Sequence, residues 1–577
     1  MSATKAPLDR PMDTSTHPNT PPLIEPHAVR KEQAMKSRSS IRSPGSRGVV
    51  CSLFLAFIAM LAALPLQAQA TASLRPRPAA AMDTRWSAID AYVEQERQAA
   101  RVPGIAIAIV QGDQIVHVRG FGEADPSGRA VTPQTPFGIG SASKSFTALA
   151  IMQLVEAGKI ELDAPVQRYL PWFRVADAEA SARITVRHLL HHTSGLPEGL
   201  GNIELATSRD MSDSAMEAQV RSLSTAELTQ PVGATWQYSN VGYLMLGLLV
   251  RTVSGQSYES YMEEHVFAPL QMQHSFADPA AAREAGLSAG YRYWFGRPVA
   301  FDAPFNRAIL PAGLLMTSGE DMARYLIAQL NDGRYGSTTI LSPAGIAEMQ
   351  RGAVPVLNGV WGGIEEARYG LGWGAGKRNG ITVVEHAGRS ATFRADMILV
   401  PEGRWGIAVL KNSVNRVSGE RMETITDGVF NLVMGQQPPP VPENNGMLQI
   451  LQLVTAVAAV QLLAMIWSAF TLRRLVRRAP GTVRGWLSIA RYVVAPLAFY
   501  VPLGLFFLVL VPLLAQMPQW RLFLISIPDI ATVALVSGVA ALAWAIFRTA
   551  VMFRVMRRRT PLVAAPAAAP ARNVQAT

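Results

Sequence analysis

The chain has 577 residues, 49% of them hydrophobic and 16% charged, with a formal net charge of +11. That apolar content excludes a disordered chain and points to membrane segments. The basicity excludes nucleic acid as the partner because it sits at the ends: residues 1–48 carry 8 − 4 = +4, residues 447–577 carry 13 − 1 = +12, and residues 49–446 therefore hold 11 − 16 = −5.

Residues 1–48 are rich in Pro, Ser, Thr and Arg without apolar periodicity, and read as a disordered basic extension. An apolar run over 49–66 follows, closed by Ala68-Gln69-Ala70. A basic leader, an apolar stretch and an A-x-A end describe a signal peptide over 49–70, cleavable after Ala70, or an uncleaved anchor. Met35 would be a more ordinary start for such a leader. The only cysteine, Cys51, allows neither an internal disulfide nor a cysteine-based zinc site.

Residues 83–435 read as one globular unit. A helix is expected over 86–100, then strands over 105–110 and 115–118 joined by Gln111-Gly112-Asp113-Gln114, a hairpin signature. Helical patterns cover 145–157, 241–254 and 320–330. Strands return at 381–385, 395–400 and 406–410, and a helix over 420–434 closes the unit. Strands at both ends and helices between them predict an α+β fold: an antiparallel sheet completed by both termini, with a helical insert.

A proline-rich linker, 436–446, leads to three apolar stretches at 447–472, 492–514 and 523–547, each long enough to cross a bilayer core of about 20 residues. The first connection holds Arg473, Arg474, Arg477, Arg478, Arg484 and Arg491, and the tail, 548–577, holds Arg548, Arg554, Arg557, Arg558 and Arg559. The positive-inside rule places both in the cytoplasm, which leaves 83–435 outside. Asp529, just after Pro528, is expected at the interface near the outer end of the third span.

Three short motifs carry chemistry. Ser141 and Lys144 stand three apart before an apolar helix, and so share one helical face. A serine hydroxyl needs a neighbouring base, and a lysine of lowered pKa can serve. Tyr238-Ser239-Asn240 could supply a phenol for proton transfer and an amide to hold a substrate carbonyl. His386-Ala387-Gly388 ends a predicted edge strand, where glycine would admit a substrate backbone and histidine would add a donor.

Taken together, in this order and spacing, the motifs resemble the serine β-lactamase and penicillin-recognising superfamily, specifically its class C-like branch of β-lactamases, D,D-peptidases, D-aminopeptidases and family VIII esterases. Leu162-Asp163-Ala164-Pro165-Val166, the segment from Ile184 to Leu190, His192-Thr193-Ser194-Gly195-Leu196-Pro197 and Pro311-Ala312-Gly313 extend the resemblance. It implies Ser141 as the acylated nucleophile, Lys144 as its proton acceptor and Tyr238 as the general acid/base. It further implies Asn240, His386, Gly388 and Arg389 as substrate-binding positions, with backbone N–H groups of Ser141 and Arg389 as the oxyanion hole. No cofactor or metal is implied, and His188, His191 and His192 are read as structural.

The sequence departs from the class C pattern in having His386-Ala387-Gly388 where Lys-Thr-Gly is usual, and Pro311-Ala312-Gly313-Leu314 without a second glycine. Histidine is mostly neutral at pH 7, so weak β-lactam hydrolysis is expected, rising toward pH 6. The expected function is a membrane-tethered extracytoplasmic serine hydrolase in a bacterial inner membrane. Its partners would be the lipid bilayer and a small-molecule or peptide substrate such as peptidoglycan, D-amino-acid peptides, β-lactams or esters. A slowly acylating receptor signalling through its membrane helices is the alternative, and a metal hydrolase ranks third.

Overall fold

Strands from opposite ends of the globular unit meet at the heart of the sheet. In a computed structural model that describes residues 82–200, 202, 207–356, 363–415, 420–441, 446–477 and 485–557, helix α1 (Met82–Ala99) precedes the hairpin β1 (Gly104–Gln111) and β2 (Gln114–Gly122). The expected extension, the signal segment, Arg478, Arg484 and the tail beyond 557 lie outside the described residues. Helices α2 (Ser143–Glu156) and α3 (Asn240–Ser254) follow, then the small hairpin β3 (Tyr291–Trp294) and β4 (Arg297–Ala300), and α4 (Gly319–Leu330). The chain then returns through β5 (Val354–Pro355), β6 (Glu365–Tyr369), β7 (Gly374–Arg378), β8 (Ile381–Arg389), β9 (Arg394–Val400) and β10 (Trp405–Lys411) to α5 (Glu420–Val433).

The eight-stranded sheet runs β2-β1-β10-β9-β8-β7-β6-β5, and every neighbouring pair is antiparallel. β1 pairs with β10 in the register Ile105↔Lys411 to Gln111↔Trp405. The sequence of β1 explains its place, because side chains alternate between the two faces of a strand. Ile105, Ile107 and Ile109 pack with α1 and α5, while Ala106, Ala108 and Val110 join the cluster that includes α2, α3 and α4. Both faces are covered, so the strand reads as one unbroken apolar run. Each buried isoleucine contributes about 1.5–3 kcal/mol. The expected α+β architecture, with an antiparallel sheet completed by both termini, is the one found.

Three helices follow the linker: α6 (Gly446–Val476), α7 (Trp486–Leu514) and α8 (Pro528–Arg557), each long and apolar enough to cross a membrane. Two side-chain clusters mark the ends of this bundle. One gathers Val454, Phe507, Val511, Phe523 and Ile530; the other gathers Leu472, Leu475, Val493, Met552 and Val555. The arginines at 473, 474, 477, 491, 554 and 557 flank the second cluster. The third span begins later than the expected residue 523. Trp520–Ser526 forms a separate short helix, and Ile527 leaves helical geometry (φ −140°, ψ 69°). Pro528 imposes that break, since its ring disfavours the helical region for the residue before it.

Candidate active site

A single 3-10 turn, Gly140–Ala142, carries Ser141 into the start of α2, and Lys144 follows within the first turn of that helix. The turn is pinned from both sides: Ser143 Oγ donates to Gly140 O (2.8 Å) and accepts from Leu315 N (3.1 Å). Ser141 is half-buried and Lys144 is fully buried.

Lys144 Nζ lies 3.2 Å from Ser141 Oγ, 2.8 Å from Asn240 Oδ1 and 2.6 Å from the carbonyl oxygen of Ala312. Three acceptors would satisfy an ammonium, but no carboxylate is among them. Burial therefore dominates and holds the Lys144 pKa well below the usual lysine value. A neutral amine has two N–H bonds and one lone pair. Asn240 and Ala312 offer only acceptors and take both N–H bonds, which leaves the lone pair for Ser141 Oγ.

Tyr238 OH donates to Ser141 Oγ across 2.7 Å. Burial pushes its pKa up, so it stays a phenol, a proton donor rather than a phenolate. Asn240 opens α3 directly after the Ser239 cap, and its Nδ2 donates to Asn202 Oδ1 (3.1 Å). The three motifs, far apart in sequence, thus converge on one hydroxyl.

The end of β8 lies against the Ser141 turn. Gly140 has φ +53°, and a Cβ there would press on the Arg389 amide nitrogen at 2.5 Å. A Cβ on Gly388 would overlap the carbonyl oxygen of Ile139. Both positions require glycine because two backbones touch. This brings the Arg389 amide beside the Ser141 segment.

The beta-lactamase family model matches residues 89–427. The chain belongs to the beta-lactamase family. Protein flp of Staphylococcus aureus (strain MW2) is 27% identical over 344 residues, 59% of this chain and 66% of that protein, so slightly under two thirds of that relative is spanned. Penicillin-binding protein 4 of Amycolatopsis lactamdurans is 30% identical over 317 residues, 54% of this chain and 81% of its own. Among solved structures, the octameric penicillin-binding protein homologue from Pyrococcus abyssi matches with a TM-score of 0.54 and 28% identity, covering 62% of this chain and 79% of that one.

In this beta-lactamase-family domain His386 is buried, 2% exposed, with Nδ1 2.8 Å from the Ala387 carbonyl oxygen and Nε2 3.3 Å from Tyr369 OH. By the pleat His386 shares the face of Gly388, the one turned to Ile139, and its ring is buried there beside Tyr369, while Arg389 falls on the other face with Glu423 of α5. Burial lowers the His386 pKa to about 3, so it is neutral at any physiological pH. Gly388 likewise serves the approach of β8 to Ile139.

Other residues support the site from outside the three motifs. His192 Nδ1 accepts the Ser239 amide (3.0 Å), and its ring packs 4.5 Å from that of Tyr238, so it positions Tyr238 and Ser239. His188 completes a capping box with Thr185 at the start of a short helix, Val186–Leu190. Behind β8 and β9, Asp396 gathers Lys411 Nζ (2.8 Å), Thr426 Oγ1 (2.7 Å) and Arg394 (2.9 Å). Arg394 also meets Glu423 (3.1 Å), which in turn pairs with Arg389. The cleft arginine is thereby held by a chain of charges rooted in the core.

Proposed function

We propose that this chain is a membrane-tethered serine hydrolase of the class C-like branch, acting through an acyl-enzyme at Ser141 on an amide or ester. The observation that supports this most is the placement of Ser141 Oγ between the Lys144 amine and the Tyr238 phenol. The Ser141 Oγ–H proton passes to the Lys144 lone pair as the Oγ–C bond forms. The resulting oxyanion is held by the backbone N–H groups of Ser141 and Arg389. The tetrahedral intermediate then collapses, the leaving group departs with a proton from Tyr238, and Lys144 returns its proton to the phenolate. Water, activated by the same pair, releases the acid.

The three apolar helices and the arginines at one end of their bundle support a catalytic domain on the extracytoplasmic side of a bacterial inner membrane. Substrates of this chemistry include cell-wall peptides, D-amino-acid peptides, β-lactams and esters. The test uses the full chain in lipid nanodiscs with a fluorophosphonate probe and chromogenic esters, amides and β-lactams. Labelling and turnover that both vanish in Ser141→Ala support the reading; turnover that survives in Ser141→Ala removes it. A stable adduct without turnover would favour a slowly acylating receptor instead.

A further inference from the structure

The cleft at Ser141 is not enclosed by the catalytic domain alone. One cavity of about 750 Å³ is lined by Ser141, Asn240 and Arg389 and also by Met517, Leu522 and Ile525, which lie between the second and third apolar helices. That segment is fixed to the catalytic domain through the β3–β4 hairpin: Arg292 Nη1 donates to the carbonyl oxygen of Leu524 (3.4 Å), and the backbone of Phe295 faces Asp529 in the first turn of α8. Both connections come from residues outside the catalytic motifs.

The chemistry of the wall specifies what it accepts. Met517, Leu522 and Ile525 are half-buried, and the cavity is also lined by Phe305, Leu314 and Phe393, with Asp125, Arg283 and Asp302 among its polar residues. A cavity that sets apolar side chains of this segment beside Ser141 suits a ligand with one apolar arm and one polar, cleavable head. Its position suits one source of such ligands. The segment spans from Leu514, where α7 ends, to Pro528, where α8 begins, so this part of the lining joins the ends of two apolar helices.

We propose that the segment between α7 and α8 is a substrate-binding wall, and that the substrate is an amphiphile whose aliphatic chain lies on Met517, Leu522 and Ile525 while its amide or ester reaches Ser141. This rests on the serine-hydrolase reading above and assigns that site its substrate class. The apolar helices then help select the substrate as well as anchoring the domain.

The test uses the full chain in nanodiscs and the ratio of kcat/KM for p-nitrophenyl dodecanoate to that for p-nitrophenyl acetate. In the native chain the ratio is expected to exceed one by at least about ten-fold, since several methylenes leave water on binding. It should fall at least about five-fold in Leu522→Gln/Ile525→Gln and, separately, in Met517→Ser. A native ratio near one, or a ratio unmoved in both variants, overturns the proposal. Binding is read independently of turnover with a dodecanoyl amide carrying a diazirine at its chain end. Crosslinks within residues 516–526 support the wall, and crosslinks confined to other segments overturn it. Failure to hydrolyse either ester would instead count against the serine-hydrolase reading, with the crosslink then deciding the binding claim by itself.

Discussion

Lys144 Nζ donates to Asn240 Oδ1 across 2.8 Å, and that contact helps to fix where the amine lone pair points. The amide has no charge with which to favour an ammonium, so burial keeps the lysine pKa low. Activity is therefore expected to rise with pH through that lowered pKa, because only the neutral amine can accept the serine proton. Asn240→Asp sets a carboxylate beside the amine and favours its charged form, so the acid limb of the kcat/KM profile should move to higher pH. A limb that stays put or moves down would contradict the assignment of Lys144 as base. Lys144→Met should cost about 10²–10⁴-fold in acylation rate.

The overlap between a Cβ at position 388 and the carbonyl oxygen of Ile139 gives a second expectation. Gly388→Ala must push β8 away from the nucleophile turn and with it the Arg389 amide. We expect a loss of at least about 2 kcal/mol in stability and a larger proportional fall in acylation, read by thermal unfolding and by probe labelling. Normal labelling in Gly388→Ala would show that the strand end does not contribute to the site.

Buried histidines set the acid sensitivity. His386 and His191 have pKa values lowered by burial to about 3 and about 4, against about 6.5 when unfolded. Between those values the unfolded chain binds more protons, so stability rises with pH there and is lost as pH falls below about 6.5. Each group contributes a slope of up to about 1.4 kcal/mol per pH unit. His386→Gln should flatten the decline in melting temperature between pH 6.5 and 4. The same burial keeps His386 neutral at pH 6, so protonation of this ring is not expected to raise β-lactam turnover there.

Asp396 is buried among Lys411, Arg394 and Thr426. Asp396→Asn leaves two cations without their shared anion, and removing one member of such a cluster costs about 3–5 kcal/mol. Because Arg394 and Arg389 share Glu423, the variant should also weaken binding of carboxylate-bearing substrates, seen as a raised KM. An unchanged melting temperature would count against this account.

Membrane orientation is tested by protease added to sealed spheroplasts. The linker around residues 436–441 should be cut, and a tag placed after residue 577 should stay protected. A digested tag would invert the proposed topology.

Much of the fold was legible because its central strands are apolar on both faces: 105–110, 395–400 and 406–410 announce themselves as runs. The site was legible because Ser141/Lys144 and Tyr238/Asn240 lie at helix starts, where local spacing fixes side-chain direction. The strands Glu365–Tyr369 and Gly374–Arg378 were not, since their side chains follow neither a strand nor a helix period. The burial of His386 depends on Tyr369, which comes from another strand, and no local pattern announces it. The wall at Met517, Leu522 and Ile525 depends on a contact across more than a hundred positions, which no local pattern encodes.

The pairing of β1 with β10 joins Ile105 to Lys411, 411 − 105 = 306 positions apart. During synthesis the first hairpin must wait, with one edge bare, until nearly the whole globular unit has been made. Contacts of such long sequence separation form slowly, and an unpaired apolar edge invites association with other chains. A chain ending before Trp405 cannot close its sheet, so any product shortened to that extent is a candidate for aggregation or degradation.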